Sequence, residues 1–187
     1  METLVESIIK GVEVKIIDGA MDEEKVHNFY KYVLTLPFNR VQKDFIGDPF
    51  LYFSTHFDAI KFSDKTYIGK VSYELLCRFL KNAESYYLYA VYLNSLKYGD
   101  MQFPHRDCEV DEKDVTILYY VNPFWDYKWG GETIFYKKKE SYVAVLPKPG
   151  RFVIFPGNVE HKAGVPNIQA KGARLSLAFK YKLNQNK

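Results

Sequence analysis

Two histidines and one aspartate have the types and spacing needed to bind a metal ion. In His105-Arg106-Asp107 the first and third residues project to the same side of an extended segment, so His105 and Asp107 can bind one ion while Arg106 points away. His161, which follows a strand pattern and a Pro-Gly-Asn turn, is the candidate third ligand. Two imidazoles and one carboxylate form the facial triad that binds non-haem Fe(II) and leaves coordination positions open. An H-x-D tripeptide alone is weak evidence, so the triad needs support from the rest of the chain.

An arginine inside a predicted strand gives part of that support. Arg174 lies inside the last strong strand pattern, 13 residues after His161, and a buried arginine is costly unless an acid pairs with it. A carboxylate ligand would match the fork of its guanidinium, and a structural salt bridge is the equal alternative. Tyr119 and Tyr120 are neighbours on an earlier strand, so one phenol faces the interior. It can bind a carboxylate oxygen there or be an ordinary core residue.

The elements that must position these residues fall into two parts. The first half carries helical patterns: one helix over about 22–36, capped by Asp22 and ended by Pro37, and a second over about 70–83. The aromatic segment 45–62 between them, interrupted by glycine and proline, is either a long loop or a pair of short strands. From residue 86 the pattern changes to runs rich in β-branched and aromatic residues, bounded by Gly, Pro or Asn. They lie at 86–96, 114–121, 131–136, 141–147, 151–156 and 173–183.

These runs are too closely spaced for helical crossovers, so they predict antiparallel pairing in a two-sheet jelly roll. The basic run at 137–139 fits the tip of a hairpin. The fold class is therefore α+β, with N-terminal supporting helices over 1–85 and a catalytic core over 86–183. The length of 187 residues suits a single domain over 1–187.

Composition excludes several classes of protein. The chain is 47% hydrophobic with a net charge of +3, which is too apolar for disorder and too weakly charged for a nucleic-acid partner. Its 16 Tyr, 14 Phe and 2 Trp suit broad sheet surfaces. Two cysteines, Cys77 and Cys108, cannot make a disulfide scaffold and predict free thiols in the cytoplasm. No signal-peptide or membrane-span pattern occurs, so no membrane partner is expected.

Several ordered motifs resemble those of the prolyl-4-hydroxylase-type Fe(II)/2-oxoglutarate dioxygenases. The resemblance covers about 86–183, roughly half of the chain. Besides the candidate ligands, it rests on Tyr98-Gly99-Asp100, Leu118-Tyr119-Tyr120-Val121-Asn122, Trp125, Trp129-Gly130-Gly131-Glu132-Thr133, Phe135, Pro147-Lys148-Pro149-Gly150, Phe155, Val165 and Gly172-Ala173-Arg174-Leu175-Ser176.

The resemblance implies a double-stranded β-helix core in which His105, Asp107 and His161 hold Fe(II). It also implies that 2-oxoglutarate and O2 are co-substrates, with ascorbate as a candidate reductant. Arg174 would bind the distal carboxylate of 2-oxoglutarate with help from Tyr120. Three further residues are candidates for contacts with the co-substrate, Ser176, Tyr92 and Asn94. Another three are candidates for contacts with the substrate, Arg106, Trp125 and Trp129.

The implied reaction is hydroxylation of an unactivated C–H bond with release of succinate and CO2. A prolyl residue of a peptide or protein is the substrate that the resemblance suggests, and a free amino acid, a sugar or another small metabolite is the alternative. Two other classes of protein fit a jelly roll with histidines. One is a metal-dependent enzyme that does not use 2-oxoglutarate, and the other is a non-catalytic module that binds sugars or peptides.

Overall fold

Residues 4–184 are described by the structure, a computed structural model, and they form two antiparallel sheets and three α-helices. The strands are β1 Val5–Ile9, β2 Val14–Asp18, β3 Asn39–Gln42, β4 Tyr52–Phe57, β5 Tyr86–Leu96, β6 Val115–Tyr120, β7 Thr133–Lys137, β8 Glu140–Val145, β9 Phe152–Pro156, β10 His161–Ala163 and β11 Arg174–Leu183. The larger sheet has eight strands in the order β1-β2-β9-β6-β11-β5-β4-β3, and the smaller has three in the order β10-β7-β8. The fold thus consists of two sheets with helices against one of them.

Each helix begins at a side chain that accepts a hydrogen bond from a backbone amide three residues later. The helices are α1 Glu23–Val33, α2 Ala59–Lys65 and α3 Tyr67–Phe79. Their caps are Asp22, Asp58 and Thr66, the residue types that satisfy the free amides of a first helical turn. The helix predicted at 22–36 is confirmed with its cap, but it ends at Val33, before Pro37 is reached. The second begins three residues earlier than predicted because Thr66 supplies its cap, and it ends four residues earlier, at Phe79.

The alternation of residues along β11 separates the core from the site. Leu175, Leu177 and Phe179 face the helices and join an apolar cluster that includes Leu76 of α3. The residues between them face the smaller sheet, where Ala178 belongs to a second cluster. One face of β11 therefore packs against the helices, while the other lies between the two sheets.

All six predicted strands after residue 85 are confirmed, and their ends differ by at most two residues. The hairpin predicted at 137–139 is confirmed as well: Lys137 pairs with Glu140, and the two lysines between them have φ angles of 52° and 67°. Two successive positive φ angles are typical of a two-residue hairpin turn. Strand β10 has only three residues, too few to produce a pattern, and the sequence did not predict it.

Residues 1–85 were expected to contribute supporting helices only, and this expectation was incomplete. Four strands, β1 to β4, lie in this part and extend both edges of the larger sheet. Residues 45–62 form neither a long loop nor a strand pair, since a loop leads into β4 and then α2. All residues of β1 but one are exposed, so this strand lacks the alternation that identifies a strand in a sequence. Within residues 4–184, no helix is long and apolar enough to cross a membrane.

Candidate metal and co-substrate site

The predicted ligands meet where two distant segments pair. The backbone amide of His105 donates to the carbonyl of His161, and that of His161 donates to the carbonyl of His105, both at 2.9 Å. The amide of Asp107 donates to the carbonyl of Gly157 at 2.8 Å, which continues the pairing. These bonds place both histidines and the aspartate on one side of the paired segments, at the edge of the cavity between the sheets.

The orientation of each imidazole is fixed by a backbone carbonyl. Nδ1 of His105 lies 3.0 Å from the carbonyl oxygen of Phe103, and Nδ1 of His161 lies 2.9 Å from that of Val159. Since a carbonyl only accepts, each Nδ1 carries the proton and each Nε2 presents a lone pair. Both Nε2 atoms lie 3.7 Å from oxygens of Asp107, and one ligand atom from each residue falls within 4.8 Å of the others. Two nitrogens and one oxygen in this arrangement fit Fe(II).

Burial keeps these groups in the protonation state that binds metal. Burial lowers the pKa of His161 to about 4, despite the opposing effect of Asp107, so this imidazole is neutral at physiological pH. Burial alone would raise the pKa of Asp107, but the adjacent ammonium group of Lys180 is the largest opposing effect, and that pKa is held below its usual range. A neutral imidazole and an ionised carboxylate are the forms that coordinate a metal.

Arg174 is buried on the face of β11 that points between the sheets. Its Nε donates to the carbonyl of Gly131 at 2.6 Å, and its two terminal nitrogens donate to Ser176 Oγ at 2.9 Å and Thr133 Oγ1 at 2.8 Å. All three acceptors are neutral, and within residues 4–184 no carboxylate forms an ion pair with Arg174. Of its five N–H donors, two are left for a ligand. Arg174 is therefore held by neutral acceptors and not by a structural salt bridge within the described residues.

Tyr120 lies beside Arg174, whose guanidinium carbon is 5.1 Å from the centroid of its ring. Its hydroxyl hydrogen-bonds to Thr133 Oγ1 at 2.7 Å, the same oxygen that accepts from Arg174. Its neighbour Tyr119 packs against Phe152 in the cluster beneath the helices. Of the two tyrosines, Tyr120 is therefore the one that faces the site, and Tyr119 faces the helices.

A cavity of about 180 Å³ connects the candidate metal ligands with Arg174. Ser176, Tyr92 and Asn94, the three further candidates for contacts with the co-substrate, all line it. The Oδ1 atom of Asn94 is shielded from solvent and has no hydrogen-bond partner within the described part of the chain. An unpaired buried acceptor at the wall of a cavity can accept a hydrogen bond from water or from a bound molecule that carries a donor.

The structure places the three predicted substrate residues in different surroundings. Arg106 lines the cavity at its mouth, half-exposed, with Nε donating to the carbonyl of Asn158. Trp125 is buried, donates through Nε1 to the carbonyl of Gly130 and is 5.3 Å from the ring of Trp129. Neither tryptophan is among the residues that line the cavity. The structure thus brings only Arg106 to the other site residues.

Two charged residues at the site were missed. Lys180 forms an ion pair with Oδ2 of Asp107 and lines the cavity. Its alternation with Arg174 and Ser176 along β11 was the signal that could have identified it. Asp44 has its Oδ1 buried without a hydrogen-bond partner, 3.7 Å from Nδ1 of His105. Asp44 lies in the segment after β3, where no sequence pattern predicts its position.

Comparison with known proteins agrees with this geometry. The sequence profile described as the 2OG-Fe(II) oxygenase superfamily matches residues 89–182, half of the chain. No curated protein sequence matches the chain.

Among solved structures, the fold is similar to three prolyl hydroxylases. One is a prolyl hydroxylase from Trichoplax adhaerens in complex with a peptide fragment of the hypoxia inducible factor oxygen degradation domain (TM-score 0.68, 17% identity, 92% of this chain and 84% of that chain). Another is the 2OG complex of a viral collagen prolyl hydroxylase from Paramecium Bursaria Chlorella virus-1 (TM-score 0.67, 16% identity, 95% and 99%). A third is a Pseudomonas putida prolyl-4-hydroxylase (TM-score 0.64, 15% identity, 92% and 94%).

A two-sheet antiparallel core that brings two histidines and a carboxylate to one cavity defines a non-haem iron oxygenase of the jelly-roll type. The chain belongs to the 2OG-Fe(II) oxygenase superfamily. It is a 2-oxoglutarate-dependent dioxygenase that uses Fe(II), 2-oxoglutarate and O2, and it hydroxylates its substrate. The predicted α+β class with a jelly-roll core is confirmed, as is the oxygenase class among the three that were considered.

Proposed function

We propose that this enzyme hydroxylates a prolyl residue of a peptide or protein, with His105, Asp107 and His161 as the ligands of Fe(II). The assignment of the site rests on one observation: these three residues converge on a cavity that is also lined by Arg174, which has no acid partner within residues 4–184. When bound, the Fe(II) centre supplies the oxidative decarboxylation of 2-oxoglutarate to succinate and CO2 that drives hydroxylation. The protein supplies binding, orientation and exclusion of water.

Arg174 holds the distal carboxylate of 2-oxoglutarate in this proposal. Its three bonds to neutral acceptors fix the guanidinium plane, so the two remaining donors point in a set direction before the ligand arrives. Ser176 and Tyr120 support the same carboxylate in this proposal, since Ser176 Oγ accepts from Arg174 and the guanidinium carbon lies 5.1 Å from the centroid of the Tyr120 ring. Asn94 and Tyr92 contact the co-substrate nearer the metal through their donor groups, the amide NH2 and the phenol, because 2-oxoglutarate only accepts hydrogen bonds.

A polypeptide substrate is supported by the surface beside the cavity mouth. Phe45 and Phe50 are exposed apolar residues of the segment between β3 and β4, and both rings lie about 6 Å from that of Phe103, two residues before His105. Ile46 in the same segment is 96% exposed. A group of exposed apolar side chains next to a site is typical of a surface that binds another chain. The resemblance in fold to prolyl hydroxylases supports proline as the target.

The experiment combines a spectrum with turnover. Under anaerobic conditions, Fe(II)-loaded protein is expected to develop a visible absorption band when 2-oxoglutarate is added, and with O2 to form succinate faster in the presence of prolyl peptides. Peptides with proline replaced by alanine are the matched control. If succinate forms equally with both peptides, the prolyl assignment is wrong. If the band never forms, the assignment of the site itself is wrong.

Residues 1–187 act as one domain in this proposal, which the pairing of β4 with β5 supports because it joins the two parts of the chain in one sheet. Cys77 and Cys108 are free thiols, which supports a reducing compartment such as the cytoplasm.

A further inference from the structure

Lys180 is a buried charge on the wall of the proposed active-site cavity. It lies on β11 on the same face as Arg174 and Ser176, and it is 6% exposed. Its Nζ is 5.6 Å from the centroid of the Tyr92 ring. A lysine is almost never buried to this extent without a partner of opposite charge, because removing an ammonium group from water is costly. The partner therefore indicates what the residue does.

The partner that the structure gives Lys180 is a proposed ligand of iron. Its Nζ forms an ion pair with Oδ2 of Asp107 and donates to Thr116 Oγ1 at 3.2 Å. Within residues 4–184, Asp107 is the only carboxylate in an ion pair with Lys180. Thr116 also donates to Oδ2 of Asp107 at 2.5 Å, so this oxygen has a second partner.

Lys180 no longer has Asp107 to itself once the proposed iron and co-substrate are bound. Asp107 and the two carboxylates of 2-oxoglutarate then carry three negative charges, which balance the two charges of Fe(II) and the charge of Arg174. Each end of 2-oxoglutarate already has a cation, Arg174 at the distal carboxylate and the metal at the other. Asp44, the other acid that lines the cavity, lies 3.7 Å from Nδ1 of His105 and forms no ion pair with Lys180 within residues 4–184. A buried cation left without a carboxylate partner attracts a ligand of opposite sign.

We propose that Lys180 binds a carboxylate of the substrate and holds it beside the C–H bond that reacts. This inference rests on the metal and co-substrate site of the proposed function and not on its prolyl substrate, and it limits the substrate to molecules with a carboxylate near the reacting carbon. The carboxylate of a free amino acid and an acidic group next to the target residue of a peptide both supply this chemistry.

The test uses full-length protein loaded with Mn(II) and N-oxalylglycine, an unreactive isostere of 2-oxoglutarate, and measures binding by calorimetry. One arm compares free L-amino acids, including L-proline, with their carboxamides. The other arm compares prolyl peptides that carry Glu beside the proline with peptides that carry Gln there. Wild-type protein is expected to bind the acids of at least one arm about tenfold or more tightly than the amides, as for a charge-assisted hydrogen bond. The arm that shows the preference identifies the source of the carboxylate.

Lys180→Met is expected to abolish that preference, and Lys180→Arg to keep part of it. The matched control is Lys182→Met, because Lys182 lies on the same strand with a half-exposed side chain paired to Glu112. It is expected to bind as wild type does. Mn(II) affinity, measured by electron paramagnetic resonance, is not expected to fall in Lys180→Met, because the charge that is removed repels the metal.

Three results would overturn the proposal. One is the absence of any acid preference in wild-type protein that binds Mn(II) and N-oxalylglycine normally. Another is a Lys180→Met variant that weakens binding of acids and amides equally together with Mn(II), since Lys180 would then serve only to hold Asp107. The third is a Lys180→Met variant whose main defect is in binding of N-oxalylglycine. Wild-type protein that binds neither Mn(II) nor N-oxalylglycine would instead contradict the proposed function, and this inference with it.

Discussion

His105 and His161 are 56 residues apart in the chain and form one antiparallel backbone pair, with two hydrogen bonds of 2.9 Å. Directly opposed residues of an antiparallel pair project their side chains to the same face, and the two ring centroids are 4.6 Å apart. The geometry of the proposed metal site is therefore set by the backbone of the two segments. The side chains need only the correct rotamers, which the carbonyls of Phe103 and Val159 select.

Removal of either imidazole is expected to remove metal binding. His161→Ala leaves one nitrogen and one carboxylate, and we expect Mn(II) affinity to fall by about 100-fold or more, beyond the effect of losing an outer-shell partner. Titration of Mn(II) followed by electron paramagnetic resonance measures it. His27→Ala is the control, since His27 lies on α1 with Nδ1 near the carbonyl of Glu23. Wild-type affinity in His161→Ala would contradict the assignment of the ligands.

Arg174→Lys separates the charge of this residue from its geometry. A lysine keeps the positive charge but loses the planar fork, so we expect the KM for 2-oxoglutarate to rise about tenfold or more, as for the loss of a charge-assisted hydrogen bond. Measuring KM at saturating Fe(II) and Mn(II) affinity on the same preparation shows whether the defect is confined to the co-substrate. Arg106→Lys, at the half-exposed mouth of the cavity, provides the comparison. An unchanged KM in Arg174→Lys would show that another group holds the distal carboxylate.

The residues of the site that the sequence predicted have one property in common: each is recognisable from the residues next to it in the chain. The spacing of His105 and Asp107 and the strand composition around Arg174 can be identified within a few residues. The run 86–96 matched β5 at both ends for the same reason, as it is rich in aromatic and β-branched residues and bounded by turns.

The parts that the sequence did not predict depend on contacts between distant segments. Asp44 reaches His105 only because residues after β3 fold over the cavity, and no local pattern encodes that path. Lys180 had a local signal in the alternation of β11, but its ion pair with Asp107 depends on the position of the loop before β6. Strand β2 pairs with β1 on one side and with β9 on the other. Its five residues alone do not indicate that it is a strand.

The two thiols are expected to react at different rates. Burial, helped by the charge of Asp114, raises the pKa of Cys108 to about 11, whereas Cys77 is exposed on α3. Since the thiolate is the nucleophile, only about one in a thousand Cys108 side chains is reactive at pH 8. In metal-free Cys77→Ser protein, the alkylation rate of Cys108 should rise about tenfold per pH unit and level off only near pH 11. Mass spectrometry after timed iodoacetamide treatment measures it, with Cys108→Ser reporting on Cys77. A plateau below pH 9 would contradict the role of burial.

Gly131 is expected to tolerate no side chain, because three constraints meet there. Its φ is +81°, a Cβ would lie 3.1 Å from Cζ2 of Trp125 and 3.3 Å from Cδ of Arg174, and its carbonyl accepts the Nε bond of Arg174. Gly131→Ala should therefore cost about 1–3 kcal/mol in the free energy of unfolding and weaken 2-oxoglutarate binding, since relief of either contact moves Arg174. Urea unfolding and calorimetry of the same protein measure the two effects.

Gly172→Ala is the matched control for this prediction. A Cβ at Gly172 would meet nothing within 4 Å, so the free energy of unfolding of this variant should stay within about 0.5 kcal/mol of wild type or rise slightly. A Gly131→Ala protein that is destabilised but binds 2-oxoglutarate normally would show that Trp125 yields and that the position of Arg174 does not depend on this glycine.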